Sequence, residues 1–190
     1  MTDSLPALPL PAGVRARFVD GINGLSMHVL EAGFETPARP TVILLHGFPE
    51  IAYSWRKVMP ALAAAGYHVL APDQRGYGRT SGTGVSYDDD LAPYRVLNLV
   101  GDTVGLARAF GCETVHAVIG HDFGASIAVW CAITRPDLFR SLVFMSAPFG
   151  GVPTFPFNTA ADGGTRPAAD PVHDDLAALP RPRKHYQWYY

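Results

Sequence analysis

The chain has 190 residues, 48% of them hydrophobic and 17% charged, with a formal net charge of −2. That length suits one domain with a substantial core, and that composition excludes disorder as the main state. With a pI near 6.4 and no basic block, neither nucleic acid nor an anionic membrane surface is expected as a partner.

The N-terminal stretch MTDSLPALPLPAG lacks a charged segment ahead of an apolar run, so it does not read as a secretory signal. No apolar run reaches membrane-spanning length. Cys112 and Cys131 are the only cysteines, and both have apolar neighbours. Free, buried thiols in a reducing cytosol are therefore expected, and the protein is expected to be soluble and cytoplasmic.

In chain order, VRARFVDGINGLSMHVLEAG reads as two strands around an Asn23-Gly24 hairpin turn. Thr41–Gly47, TVILLHG, is a continuous apolar run of the kind a strand buried on both faces requires. Ser54 is placed to cap a helix running to about Ala65 and ended by Gly66. Tyr67–Asp73 is a second buried strand, followed by the glycine-rich loop QRGYGRTSGTG. From Pro93 to Phe110, apolar residues at 96, 97, 100, 104 and 107 form a helical stripe, with Pro93 in the first turn and Gly111 past the end. TVHAVIG is a third buried strand, Asp122–Thr134 a helix rich in small residues, and RSLVFMSAP a further strand. Strands alternating with helices predict an α/β fold, with a mostly parallel sheet and helices on both faces. Residues 1–150 make this core. Residues 151–184, dense in Pro, Gly, Asp and Ala without a sustained period, read as a connection, and 185–190, HYQWYY, begin an aromatic segment.

Chemistry concentrates in VIGHDFGAS, Val118–Ser126. A sharp strand-to-helix turn needs small neighbours, which Gly120 and Gly124 supply around Asp122. The following helix presents its N-terminus to the tip and favours an anion there. A serine at such a tip needs a base to remove its proton. An aspartate, with an ordinary pKa of about 3.9, is already charged and can attack an sp³ carbon directly to give an ester. Hydrolysis of that ester then requires N–H donors for the oxyanion. The competing interpretation is an aspartate that only caps its helix.

LLHGFPE ends a strand of the same sheet, and ligand sites of parallel sheets gather at the carboxyl ends of their strands. Gly47 permits close approach and Pro49 fixes the turn, so the Phe48 N–H can pair with that of Phe123 as an oxyanion hole. His46 is read as tying down the loop at the substrate side rather than as a base. Pro49 and Trp55 are placed with it at the substrate-binding wall, with Tyr53 nearby. Asp73 and Arg75 are expected to hold their loop by hydrogen bonds. The glycines there fail the phosphate-binding spacing, and no cofactor or metal is expected.

HGFPEIAYSWR, APDQRGYGRT, GHDFGAS and RPDLFRSLVFMSAPF together resemble the α/β-hydrolase superfamily, and within it the soluble epoxide hydrolases, over roughly Val14 to Phe149. The resemblance implies Asp122 as the nucleophile and the Phe48 and Phe123 N–H groups as the oxyanion hole. It also implies a helical cap domain beginning at 185–190, in which Tyr186 resembles one of two tyrosines that donate a proton to the epoxide oxygen. The implied partners are a small apolar epoxide and water. Chain order in that superfamily is nucleophile, acid, histidine. Only His173 and His185 follow Asp122, neither after a recognisable later strand. The acid, the base histidine, the second tyrosine and the last core strands are thus expected beyond Tyr190, leaving the sheet incomplete and the chain inactive as it stands. Haloalkane or haloacid dehalogenases share the aspartate, but Phe48 and Phe123 have no side-chain donor for halide. A non-catalytic ligand-binding protein on the same fold, and an esterase using Ser126 within the helix, also compete with epoxide opening.

Overall fold

The computed structural model describes residues 5–84, 86–146 and 171–183. Asn23 and Gly24, both at positive φ (49° and 82°), join β1 (Val14–Ile22) to β2 (Leu25–Ala32) as an antiparallel hairpin, the left-handed turn that Asn-Gly favours. β2 then pairs antiparallel with β4 (His68–Pro72). From there the sheet is parallel, through β3 (Thr41–Leu45) and β5 (Ala117–His121) to β6 (Leu142–Met145), in the order β1-β2-β4-β3-β5-β6. Every residue of β3 is buried, as its unbroken apolar run predicts.

Two cores flank the sheet. On one face Ile43, Leu45, Leu70 and Val118 pack with Leu99, Val104 and Leu106 of helix α2 (Val96–Ala109) and Ile127 of α3 (Phe123–Thr134). On the other, Leu30, Val42, Leu44 and Val69 meet Ala52, Trp55 and Met59. The α/β class with helices on both faces is as predicted. No described helix is long and apolar enough to cross a membrane.

Local departures have physical causes. Ser54 does not open a helix: residues Ala52–Lys57 form a 3₁₀ segment, and α1 (Met59–Ala64) starts after Val58 with a proline in its first turn, where the missing N–H costs nothing. Pro93 sits in a separate 3₁₀ turn, Ala92–Tyr94, ahead of α2. On α2, Leu97 is exposed at 62%, whereas Leu99, Asp102 and Thr103 are buried. The buried face includes polar side chains that a purely apolar stripe omits. Part of the predicted connection is helical, as α4 (Pro171–Ala177). At one edge, Val143, Phe144 and Met145 of β6 are exposed.

β2 carries a buried carboxylate, Glu31, which accepts hydrogen bonds from His68 Nε2 and Arg15 Nε, both at 2.8 Å. Burial pushes this carboxyl up, but the His68 and Arg15 donors outweigh it and hold the pKa at about 2 against an ordinary 4.5. A folded-state value below the unfolded one stabilises above the unfolded pKa and loses that contribution as pH falls through the folded value. Stability from Glu31 is therefore full above pH 4.5 and lost toward pH 2. Glu31→Gln is expected to cost about 2 kcal/mol at neutral pH and to flatten the pH dependence in that acid window, as read from urea midpoints across pH.

Candidate active site

β5 delivers the chain to Asp122, which holds φ 52° and ψ −122° directly before α3. A positive φ in a non-glycine residue costs about 1–3 kcal/mol and persists only where the surroundings enforce it. Three glycines do so. A Cβ on Gly120 would overlap the backbone of Gly124, one on Gly124 would lie 2.5 Å from His46 O, and one on Gly47 would lie 2.5 Å from Asp122 Cβ. The turn is pinned by Asp122 N–H donating to Met145 O and Ala125 N–H donating to Asp122 O, both at 2.9 Å.

The Asp122 side chain makes no capping bond to its own helix, which removes the competing capping interpretation. Instead Oδ1 accepts the Phe48 N–H at 2.9 Å across the gap between the two loops. Phe123 N–H stands at the first position of α3, the positive end of that helix. The structure thus brings Asp122, Phe48 and Phe123 together. Phe48 is 41% exposed and is followed by Pro49 across a cis peptide; Pro49 is exposed beside it.

Two residues assigned to the substrate side lie elsewhere. His46 is fully buried. Its Nδ1–H donates to Gly47 O at 2.9 Å, and its Nε2 accepts the Gln74 N–H at 3.1 Å. Burial pushes its pKa down, in keeping with a neutral ring whose two nitrogens are both engaged; it braces the loop and does not reach a substrate. Trp55, 8% exposed, packs among Leu30, Val42 and Met59 on the far face of the sheet. An apolar ring on a 3₁₀ segment is drawn into the nearest core, and here that core is behind the site. Tyr53 points its hydroxyl to Pro9 O at 3.0 Å. Tyr186 and His185 lie outside the described residues, and His173 falls in α4.

Asp73 and Arg75 hold their loops, as expected. Asp73 accepts from His28 Nδ1 (2.9 Å), Ala52 N (2.8 Å) and Arg79 N (2.9 Å). Burial pushes its carboxyl up, but the His28, Arg79 and Ala52 donors win and its pKa is lowered. Arg75 makes a two-point pair with Asp102, each contact 2.7 Å.

The sequence reading missed a carboxylate–histidine pair. Glu50 Oε2 accepts from His121 Nδ1 at 3.2 Å and from Gly47 N–H at 3.3 Å. The pair joins the residue before Asp122 to the loop that bears Phe48, and it fixes the His121 proton on Nδ1. The only sequence signal was position: each residue lies inside a motif already singled out, but nothing in their spacing says that they meet.

Comparison with known proteins bears on the family and the fold. Residues 40–182 match the family model described as alpha/beta hydrolase fold. Epoxide hydrolase A of Mycobacterium tuberculosis is 48% identical over 134 residues, which cover 70% of this chain and 38% of that protein. An epoxide hydrolase of Caballeronia sordidicola is 42% identical over 127 residues, covering 67% and 36%. Among solved structures, potato (Solanum tuberosum) epoxide hydrolase I superposes with a TM-score of 0.64 at 41% identity, covering 73% of this chain and 41% of its own. The chain therefore spans roughly two fifths of the length of these proteins.

Proposed function

The chain belongs to the α/β-hydrolase fold family, and from that membership we propose that it opens epoxides by attack of the Asp122 carboxylate. The hydrogen bond from Phe48 N–H to Asp122 Oδ1 carries this reading. It holds one carboxylate oxygen in a donor site and leaves the other, Oδ2, as the attacking atom.

In the first half-reaction Oδ2 bonds to an epoxide carbon, the carbon–oxygen bond of the strained ring breaks, and the ring oxygen leaves as an alkoxide that takes a proton. Tyr186 is the proposed donor of that proton. In the second, water adds to the aspartyl carbonyl carbon and negative charge develops on Oδ1, which already accepts the Phe48 N–H and for which the Phe123 N–H is the proposed second donor. Donors fixed in advance at such a point are worth about 3–4 kcal/mol of barrier each. Collapse releases a vicinal diol and restores the carboxylate. Relatives named epoxide hydrolases at 42–48% identity support the substrate class, and the side chains of Phe48 and Phe123 favour an apolar epoxide over a halide, which needs donors.

The second half-reaction needs a base. Among the described histidines, His46 has both nitrogens engaged, His28 and His68 are each tied to a carboxylate away from the elbow, and His116 packs against Tyr67 just before β5, at the far end of that strand from Asp122. His121, held by Glu50, adjoins the nucleophile but is oriented by a loop carboxylate rather than aimed by a packed scaffold. We therefore expect this chain to form the ester once and to hold it without turnover. Incubation with an aryl epoxide should add the mass of one epoxide to the intact chain, with no more than one equivalent of diol. Sustained diol formation would contradict that expectation, and its loss in His121→Gln would assign the base to His121.

A further inference from the structure

We propose that Gln74 is a positioning residue for the oxyanion loop, acting through His46 on the Phe48 N–H; this rests on the function proposed for Asp122. The Phe48 N–H lies three residues past the end of β3, outside the sheet ladder. Its position must therefore be set by something other than strand pairing.

Because β4 runs parallel to β3, both strands leave the sheet on the same side, and residues 73–74 emerge next to residue 46. Gln74 grips His46 at two points. Its backbone N–H donates to His46 Nε2 at 3.1 Å and its side-chain Nε2 donates to His46 O at 2.5 Å. The first bond fixes the ring, whose Nδ1–H in turn holds Gly47 O. The second fixes the peptide plane between His46 and Gly47. One residue back, the Asp73 carboxylate accepts the Ala52 N–H, so two consecutive residues bracket the loop at 46 and at 52. Gln74 is 6% exposed, so its amide has no route to a substrate and works only through the loop.

The segment between these clamps carries Phe48, Pro49 and Glu50. Without the Gln74 amide, the His46 carbonyl loses the one side-chain donor it has among the described residues, and the peptide it belongs to is free to tilt. A displacement of about 1 Å at reacting groups can cost about 10²-fold in rate. A tilt of the 46–47 peptide is passed on to the Phe48 N–H in the next peptide.

Gln74→Met keeps the backbone N–H and the side-chain length and removes only the amide donor. Time courses of adduct formation with an aryl epoxide, read by intact mass, separate the limiting alkylation rate from the half-saturating concentration. The expected result is a limiting rate lowered at least about tenfold with half-saturation within about twofold, the split that misplacement of a reacting group gives. Amide exchange across residues 46–50 should rise at the same time. Thr103→Val, at a buried hydroxyl on α2, is the comparison for a purely structural loss and should leave the limiting rate unchanged. An unchanged rate in Gln74→Met, or an equal fall in Thr103→Val, overturns the proposal. If the natural chain forms no adduct, the function proposed for Asp122 fails, while exchange over residues 46–50 still decides the role of Gln74: faster exchange in Gln74→Met supports it and unchanged exchange overturns it. Should Gln74→Met not fold, Gln74→Asn, which draws the amide back by one methylene, is expected to give the same split.

Discussion

Gly124→Ala is expected to destabilise the chain by about 3 kcal/mol, the upper end of the range for overpacking. The added methyl would sit 2.5 Å from His46 O and 2.6 Å from Leu45 C. Both are backbone atoms at the end of a strand buried on both faces, so no rotamer change relieves the overlap. The helix must withdraw from β3, and Asp122 withdraws with it. In a domain of this size such a loss lowers the melting temperature by about 6–12 °C. Gly101→Ala is the informative contrast: it lies inside α2, its nearest neighbour is a side-chain nitrogen of Asn23 at 3.5 Å, and alanine gains helix propensity of up to about 1 kcal/mol there. Thermal melts of the two variants should move in opposite directions. Equal shifts would mean that the close approach at the elbow is not what holds it together.

Asp122→Asn is expected to abolish covalent adduct formation, by about 10⁴-fold or more in rate, while leaving the fold in place. The amide has the shape of the carboxylate, its Oδ1 can keep the bond from Phe48 N–H, and asparagine tolerates positive φ about as well as aspartate. Only the negative charge and the nucleophilic oxygen are lost. Adduct formation measured by intact mass, alongside thermal melts of both proteins, separates chemistry from stability. A variant that melts with the natural chain and still acquires the epoxide mass at the natural rate would remove Asp122 from the reaction.

The elements most legible in the sequence are those where one local signal dominates. Asn23-Gly24 imposes the hairpin, the apolar runs at 41–45 and 68–72 have no other place than the middle of a sheet, and Gly120 and Gly124 around Asp122 define the elbow before any contact is known. What was not legible depends on tertiary partners. Asp102 on the buried face of α2 makes sense only once Arg75 arrives from the loop after β4, and Thr103 beside it is satisfied by donating to Leu99 O of its own helix. Trp55 resembled a pocket wall because it follows the HGFPE motif, but the 3₁₀ segment turns it into the opposite core. Glu50 and Gln74 carry ordinary polar side chains in loops, and His121 carries one at the end of β5. Their meaning comes from bonds across 28 to 71 residues of chain, which no periodicity encodes. The glycine-flanked turn and the family resemblance together supplied the expectation that Asp122 is a nucleophile with Phe48 and Phe123 as its donors. The braces around them are made by contacts between distant segments of the fold.

Peptide mapping by tandem mass spectrometry, after exposure of the chain to an aryl epoxide, is the most direct test of an ester at the elbow. One ring-opened epoxide attached to the Asp122 side chain, absent from the Asp122→Asn peptide, is the expected finding. An unmodified Asp122 with the added mass on Cys112, His121 or another nucleophile would contradict it.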